Sequence, residues 1–526
     1  MRVLRSCGVA ALLKSPGCEC FWGVGARIGC ARHEAWLRPS MSFVNGDDAK
    51  GLPTATRHRV RASTARVAST ASAAVTDTSP DLSSLEFSSV EDYHRHLEGQ
   101  AKLPLGFAVG HAGLRFTPLE VQQEAAMDVT AIVMDEPSDR WAAVYTRNMF
   151  PGAPVIVGRE RLAADGRAVQ GVVINNKISN VCPGGDGSGT SNAGVADSER
   201  ICESAAEVFG FDGGAGAVIP CSTGIIGWRL PVGDICDNLG SVKANLQSES
   251  LFPAAVSIMT TDRFPKLRGT QVGSNGGRLV GIAKGAGMIE PNMATMLVFV
   301  LTDLQIPRDK MRQLLSKTSD ASFNCISVDS DTSTSDTVLL LSSGKVPLAE
   351  GDLEDFEEKL RDVCGGLAED VVRNGEGTAH VTQVRITGAP TPELARKLGK
   401  AVVNSPLFKT AIAGNDPNVG RLLAVIGRVM GVESPETDVT NTRISLGGHV
   451  VFKDNAFVIN TDVEKDLSDL FKRAEMSTSD GEHLPYPPHS RVVPVEVDLG
   501  VGDGCCTVLG SDLTTDYVHI NADYRS

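Results

Sequence analysis

Residues 290–300 read EPNMATMLVFV, a polar turn giving way to an unbroken apolar run. Pro291 and Asn292 read as loop. The run from Met296 to Leu301 has the length of a strand buried on both faces, and falls far short of a membrane span. Thr295 stands at the join. A threonine that opens a strand is ordinary. A threonine that becomes a new chain end is not, because its hydroxyl is a nucleophile and its freed α-amine, with a pKa of about 7.7–8.0, is a base on the same residue.

Working outward, further strands are expected at 130–136, 141–148, 169–176, 337–342, 380–387 and 492–498, bounded by Gly and Pro. Helices are expected at 197–210, 309–317, 352–373 and 391–403, and a short one after a capping-box spacing, Ser-Ser-Val-Glu, at 88–91. Within 352–373, Phe356, Leu360, Val363, Leu367 and Val371 recur at helical spacing, which marks an amphipathic helix laid on a core. The mixture implies α/β layers, and no repeat of fixed period interrupts it. The stretch PGGDGSGTSNAG at 183–194 lacks the order of a phosphate-binding loop and reads as a mobile loop before a helix.

Composition narrows the class. The 526 residues are 42% hydrophobic and 22% charged, as in globular chains. Residues 1–80 hold 11 Lys/Arg against 5 Asp/Glu, leaving 39 basic against 59 acidic residues for the remainder. An acidic body argues against nucleic acid as a partner. The basic leader is rich in Ser, Ala and Thr, as in ATRHRVRASTARVASTASAAVT at 55–76, and reads as an organelle transit peptide, plastid ahead of mitochondrion. No run is long enough to cross a bilayer, which points to a soluble body with no membrane partner. The cysteines lie scattered without a Cys-x-x-Cys pair, so neither a metal site nor a disulfide framework is expected, and buried free thiols are.

The neighbours of Thr295 sharpen its reading. Residues 284–297, KGAGMIEPNMATML, closely resemble the processing-site signature of ornithine acetyltransferases, also called glutamate N-acetyltransferases. The resemblance continues through CSTGIIG (221–227), MTTD (259–262), DSDTSTSDT (329–337), RNGEG (373–377), DPNVGR (416–421) and SDLTTDYVHINADYRS (511–526), and covers about residues 103–526. It implies a layered α/β/β/α sandwich, of the type shared with N-terminal-nucleophile-like aminopeptidases. After the transit peptide and disordered segment that composition places at residues 1–85, it also implies a self-cleaving precursor, with 86–294 an α chain ending at Ala294 and 295–526 a β chain headed by Thr295. The two chains stay together as a heterodimer, with a heterotetramer of two α and two β chains expected.

What the resemblance implies for chemistry can be assigned residue by residue. Thr295 is the nucleophile, and Thr223 and Gly224 are the oxyanion donors. Thr261 (with Thr260 as the alternative), Lys284, Thr295, Glu376, Asn521 and Ser526 are the substrate contacts. The substrates are acetylornithine and glutamate, in arginine biosynthesis. No resident cofactor or metal is implied, while acetyl-CoA stays open as a second acetyl donor. A hydroxyl and a backbone N–H aimed at one developing oxyanion make physical sense, and one Lys with one Glu suits a ligand carrying a carboxylate and an ammonium. Two departures stand out: Val419 where many members have tryptophan, and INNKISNV at 174–181 in place of a small-residue stretch. Two rival readings remain, a self-cleaving aminopeptidase of related fold that passes its acyl group to water, and an uncut, non-enzymatic binding protein.

Overall fold

The computed structural model describes residues 85–164, 166–183, 193–290, 296–477 and 483–522. All of these belong to the unit Thr78–Ser526. Its strands are β1 (Phe107–Phe116), β2 (Ala125–Ser138), β3 (Trp141–Tyr145), β4 (Val169–Asn175), β5 (Val218–Ser222), β6 (Lys266–Val272), β7 (Gly277–Lys284), β8 (Leu297–Leu304), β9 (Ile326–Ser327), β10 (Thr337–Val346), β11 (Val381–Ala389), β12 (Arg443–Leu446), β13 (His449–Lys453), β14 (Ala456–Phe457), β15 (Val493–Asp498) and β16 (Gly504–Ser511). Its helices are α1 (Val90–Glu98), α2 (Ala153–Ala163), α3 (Ala193–Phe209), α4 (Val232–Ala244), α5 (Phe252–Ser257), α6 (Arg308–Ala321), α7 (Asp352–Arg373), α8 (Pro392–Val403), α9 (Pro406–Ala413), α10 (Val419–Glu433), α11 (Thr461–Ala474) and α12 (Thr515–Ala522).

The apolar run that opened the sequence reading is β8, and every one of its residues is buried. Strand periodicity divides it between two cores. Leu297, Phe299 and Leu301 point into a core shared with the sheet β1-β2-β4-β5, while Val298 and Val300 point to a second core against α6 and α7. The sheet containing β8 has the order β3-β10-β8-β7-β6. The far face of the other sheet packs on α3 and α4 through Val129, Ala131, Val218, Ile201, Ala205, Leu239 and Val242. The layers therefore run helix, sheet, sheet, helix, as the sequence resemblance implied.

A third sheet, order β14-β13-β12-β15-β11-β16-β9, carries α8, α10 and α11 on one face over a core that includes Val384, Leu398, Ile426, Phe471 and Val495. This sheet was not foreseen as a separate layer. Nor was β1, although it pairs with β2 along its whole length, from Phe107 opposite Met134 to Phe116 opposite Ala125. Its half-exposed, Gly- and Ala-containing sequence gives a weak strand signal. The helix after Ser88 is capped by Ser89, not Ser88: the Asp92 N–H donates to the Ser89 hydroxyl, and Asp92 in turn accepts from the Ser88 N–H. The glycine-rich stretch falls largely outside the described residues. Among the described residues no helix is long and apolar enough to cross a membrane.

Candidate active site

The stretch 284–297 joins two neighbouring antiparallel strands, for Lys284 at the end of β7 pairs with Leu297 at the start of β8. Its first half is fastened to residues 327–332. The Asp329 carboxylate accepts the N–H groups of Met288 at 2.6 Å and Ile289 at 2.7 Å, which holds Met288 in its left-handed conformation, φ 57°. The Val328 N–H donates to the Ile289 carbonyl, and the Thr332 hydroxyl to the Glu290 carbonyl. On the β8 side, the Thr337 N–H donates to the Met296 carbonyl at 3.0 Å. Glu290 and Met296 are thus both fixed points on either side of Thr295, which itself lies outside the described residues, as do Ala294 and Ser526.

Met296 and Leu297 line a cavity of about 280 Å³ at the ends of the two facing sheets. Thr223 and Gly224, just past β5, line its opposite wall. They are set by pairing with residues 175–181: the Thr223 N–H donates to the Asn175 carbonyl, Ile225 to Lys177, and Ser179 back to Ile225. Gly224, at a bend between these two bonded neighbours, makes no backbone hydrogen bond to that partner. Among the described residues neither this N–H nor the Thr223 hydroxyl has an acceptor, so both donors are available to a ligand in the cavity. Gly224 has φ 122°, and a Cβ there would collide with the Lys177 carbonyl, so only glycine holds this geometry.

The charged side chains come from three other places. Glu376, in the turn after α7, packs its carboxylate against Gly287 with no room for a Cβ between them. It accepts from the Thr261 hydroxyl at 2.7 Å and from the Asn521 amide at 2.9 Å. Asn521 reaches it because β11 and β16 are antiparallel neighbours, so the turn before one and helix α12 after the other meet at one edge. The Thr514 hydroxyl, donating to the Gly377 carbonyl, closes that junction.

Beneath the cavity Asp262 gathers the remaining parts. It pairs with the Lys266 ammonium and accepts from the N–H groups of Thr260 and Gly285 and from the Asn374 amide. Burial alone would raise its carboxyl, but the cations of Lys266 and Lys284 and its hydrogen bonds outweigh that and hold it at about 2. Burial, reinforced by the like charge of Lys266, lowers the Lys284 ammonium against the pull of Asp262, Asp336 and Glu376. The Lys284 ammonium makes no hydrogen bond among the described residues, which leaves it free for an anionic group.

Because the Asp262 carboxyl lies below the usual value of about 3.9, its contribution to stability is complete above that pH and is lost as pH falls towards 2. Asp262→Asn leaves Lys266 buried with no counter-charge, which costs about 3–5 kcal/mol. We expect a melting temperature lower by roughly 3–5 °C at pH 7, because a unit of this length unfolds with an entropy of about 1 kcal/mol/K. The gap from wild type should close as both are titrated from pH 5 towards 2; a gap that stays constant over that range would refute the ionic role.

Six of the residues singled out in the sequence, Thr223, Gly224, Thr261, Lys284, Glu376 and Asn521, therefore line one cavity, and Thr260 does so too. Sequence reading passed over Asp262 and Asp329 as individual residues, and also Ser335 and Asp336, which line the cavity. All four sit in stretches already quoted, MTTD and DSDTSTSDT, which is the signal that could have found them. Of the two departures, Val419 opens α10 inside the core of the third sheet, away from the cavity. Residues 174–181 matter more, since they carry the Thr223–Gly224 wall, and Asn176 ties down the approach to Thr260 by donating to the carbonyls of Ser257 and Met259.

With this geometry in view, the chain can be set beside known proteins. The model of the ArgJ family matches residues 108–526. The arginine biosynthesis bifunctional protein ArgJ 2 of Clostridium acetobutylicum is 34% identical over 424 residues, covering 80% of this chain and 98% of its own. The glutamate N-acetyltransferase Oat2 of Streptomyces clavuligerus is 36% identical over 427 residues, covering 81% and 98%. The crystal structure of an arginine biosynthesis bifunctional protein ArgJ from Bacillus halodurans is 32% identical and covers 43% of this chain and 97% of its own, with a TM-score of 0.37. On the family match and the identities to the Clostridium and Streptomyces proteins, the chain belongs to the ArgJ family.

Proposed function

We propose that this acyltransferase moves the acetyl group of N2-acetyl-L-ornithine to L-glutamate through an acetyl ester on Thr295, giving L-ornithine and N-acetyl-L-glutamate. The observation that carries the reading is the convergence in one cavity of two donors without acceptors, Thr223 Oγ1 and Gly224 N–H, with Met296, the residue that follows Thr295. Lys284 and Glu376 answer the carboxylate and ammonium of an amino-acid substrate. The names of the relatives agree with this reaction.

The nucleophile is first made by the chain itself. The Thr295 hydroxyl attacks the Ala294 carbonyl, the acyl group shifts from N to O, and water cleaves the ester to leave a free α-amine. In turnover that amine takes the Thr295 hydroxyl proton as the oxygen attacks the acetyl carbonyl, and Thr223 and Gly224 hold the oxyanion. The carbon–nitrogen bond breaks, the proton passes to the leaving amine of ornithine, and the amine of glutamate then takes the acetyl group by the same steps reversed. The pairing of β7 with β8 and of β3 with β10, each joining a strand before the cut to one after it, would keep the α chain (86–294) and β chain (295–526) in one body. A pair of such heterodimers is the assembly proposed. The basic, Ser- and Ala-rich segment before position 86 supports a transit peptide, with a plastid favoured over a mitochondrial matrix.

Initial rates measured over a grid of acetylornithine and glutamate concentrations test the reaction. We expect parallel lines in double-reciprocal form, the mark of a ping-pong reaction. Intersecting lines would mean that both substrates must be bound together and would overturn the acetyl-enzyme.

A further inference from the structure

Two cysteines outside the cavity lie within reach of each other. Cys325, in the single 3₁₀ turn Phe323–Cys325, and Cys506, on β16, have their Sγ atoms 3.6 Å apart. Strand alternation selects the partner, since Cys505 points to solvent on the opposite face of β16 while Cys506 is half-buried against Cys325. The hydrogen bond from Cys506, helped by the cations of Arg396 and Lys400 on α8, lowers the Cys325 thiol against its burial. Cys202 and Cys364, by contrast, are pushed up to about 12 by burial.

We propose that Cys325 and Cys506 form a reversible disulfide site, closed by a low-molecular-weight disulfide and opened by a dithiol. One protein thiolate attacks the small disulfide and displaces one small thiol; the second attacks the resulting mixed disulfide and displaces the other. The two protein thiols give up two protons and two electrons, and the oxidant leaves as two thiols. Closing the Sγ separation to about 2.05 Å needs a movement of about 1.5 Å. The bond would tie β9 to β16 across 181 positions of chain. The Ser327 hydroxyl on β9 lies within hydrogen-bond distance of the Ile289 carbonyl (3.1 Å) and the Glu290 carboxylate (3.0 Å), so the tether ends beside the loop that enters the cavity.

The test treats the full-length protein with oxidised glutathione, blocks free thiols, and maps linked peptides by mass spectrometry. We expect a loss of two thiols and a peptide joining Cys325 to Cys506. That link should survive in Cys505→Ser, be absent in Cys325→Ser and Cys506→Ser, and vanish with dithiothreitol. The oxidised protein should melt higher by roughly 3–5 °C. A link through Cys505, a glutathione adduct that persists on Cys506, or an unchanged thiol count would each overturn the site. Because the wild-type map alone decides, a variant that failed to fold would not rescue the proposal.

Discussion

Thr295→Ala is expected to leave the chain uncut and to lower acetyl transfer by about 10⁴-fold or more, because one substitution removes the nucleophile and prevents formation of the base. A denaturing gel should show one band where wild type shows two fragments. The fold should persist, since β8 is held by β7, β10 and the bond from Thr337 to the Met296 carbonyl, none of which uses the threonine side chain. An unchanged circular dichroism spectrum would establish that. Thr295→Ser keeps a hydroxyl on the same atom and should restore both cutting and measurable transfer. If Thr295→Ala still transferred acetyl at a rate near that of wild type, the covalent route would be wrong.

Gly224→Ala should be the next most damaging, for a reason that lies in the backbone. At φ 122° an added Cβ meets the Lys177 carbonyl, so the segment must move and carry its N–H out of line. Loss of one oxyanion donor typically lowers kcat by about 10²–10³-fold, or about 3–4 kcal/mol. The substrate clamp of Lys284 and Glu376 is untouched, so KM should change far less than kcat. Thr223→Val removes the other donor without backbone strain and should show the same pattern, a fall in kcat with KM nearly constant. Steady-state kinetics of the two variants decide the matter; a rise in KM alone would make this wall a binding surface, not a catalytic one.

Much of this was legible before any coordinates, and the reasons differ by element. β8 could be read because a strand covered on both faces leaves an unbroken apolar signature, and α7 because its apolar face recurs over about four turns, from Phe356 to Val371. Of the third sheet only β11 and β15 could be read, as the strands expected at 380–387 and 492–498. β12, β13 and β14 are short, and β15 joins β11 and β12 only through pairings far apart in sequence. Thr223 and Gly224 were found through their motif, but nothing local shows that their donors are unpaired; that follows from their pairing with residues 175–181. Asp262 is one acid among 64 in the sequence, and it becomes a hub only when β6, β7 and the end of α7 converge on it. The expectation of buried thiols held for Cys202, Cys221, Cys325 and Cys364 but failed for Cys182 and Cys505, which are exposed. Exposure of a single strand residue depends on which face the strand presents, and composition does not record that.

The acetyl ester on Thr295 can be weighed by intact-mass measurement of the rapidly quenched enzyme. With acetylornithine alone, we expect the fragment that begins at Thr295 to be one acetyl group heavier, the label to map to its first residue, and glutamate to discharge it. A fragment that stays unmodified while acetylglutamate accumulates would contradict it.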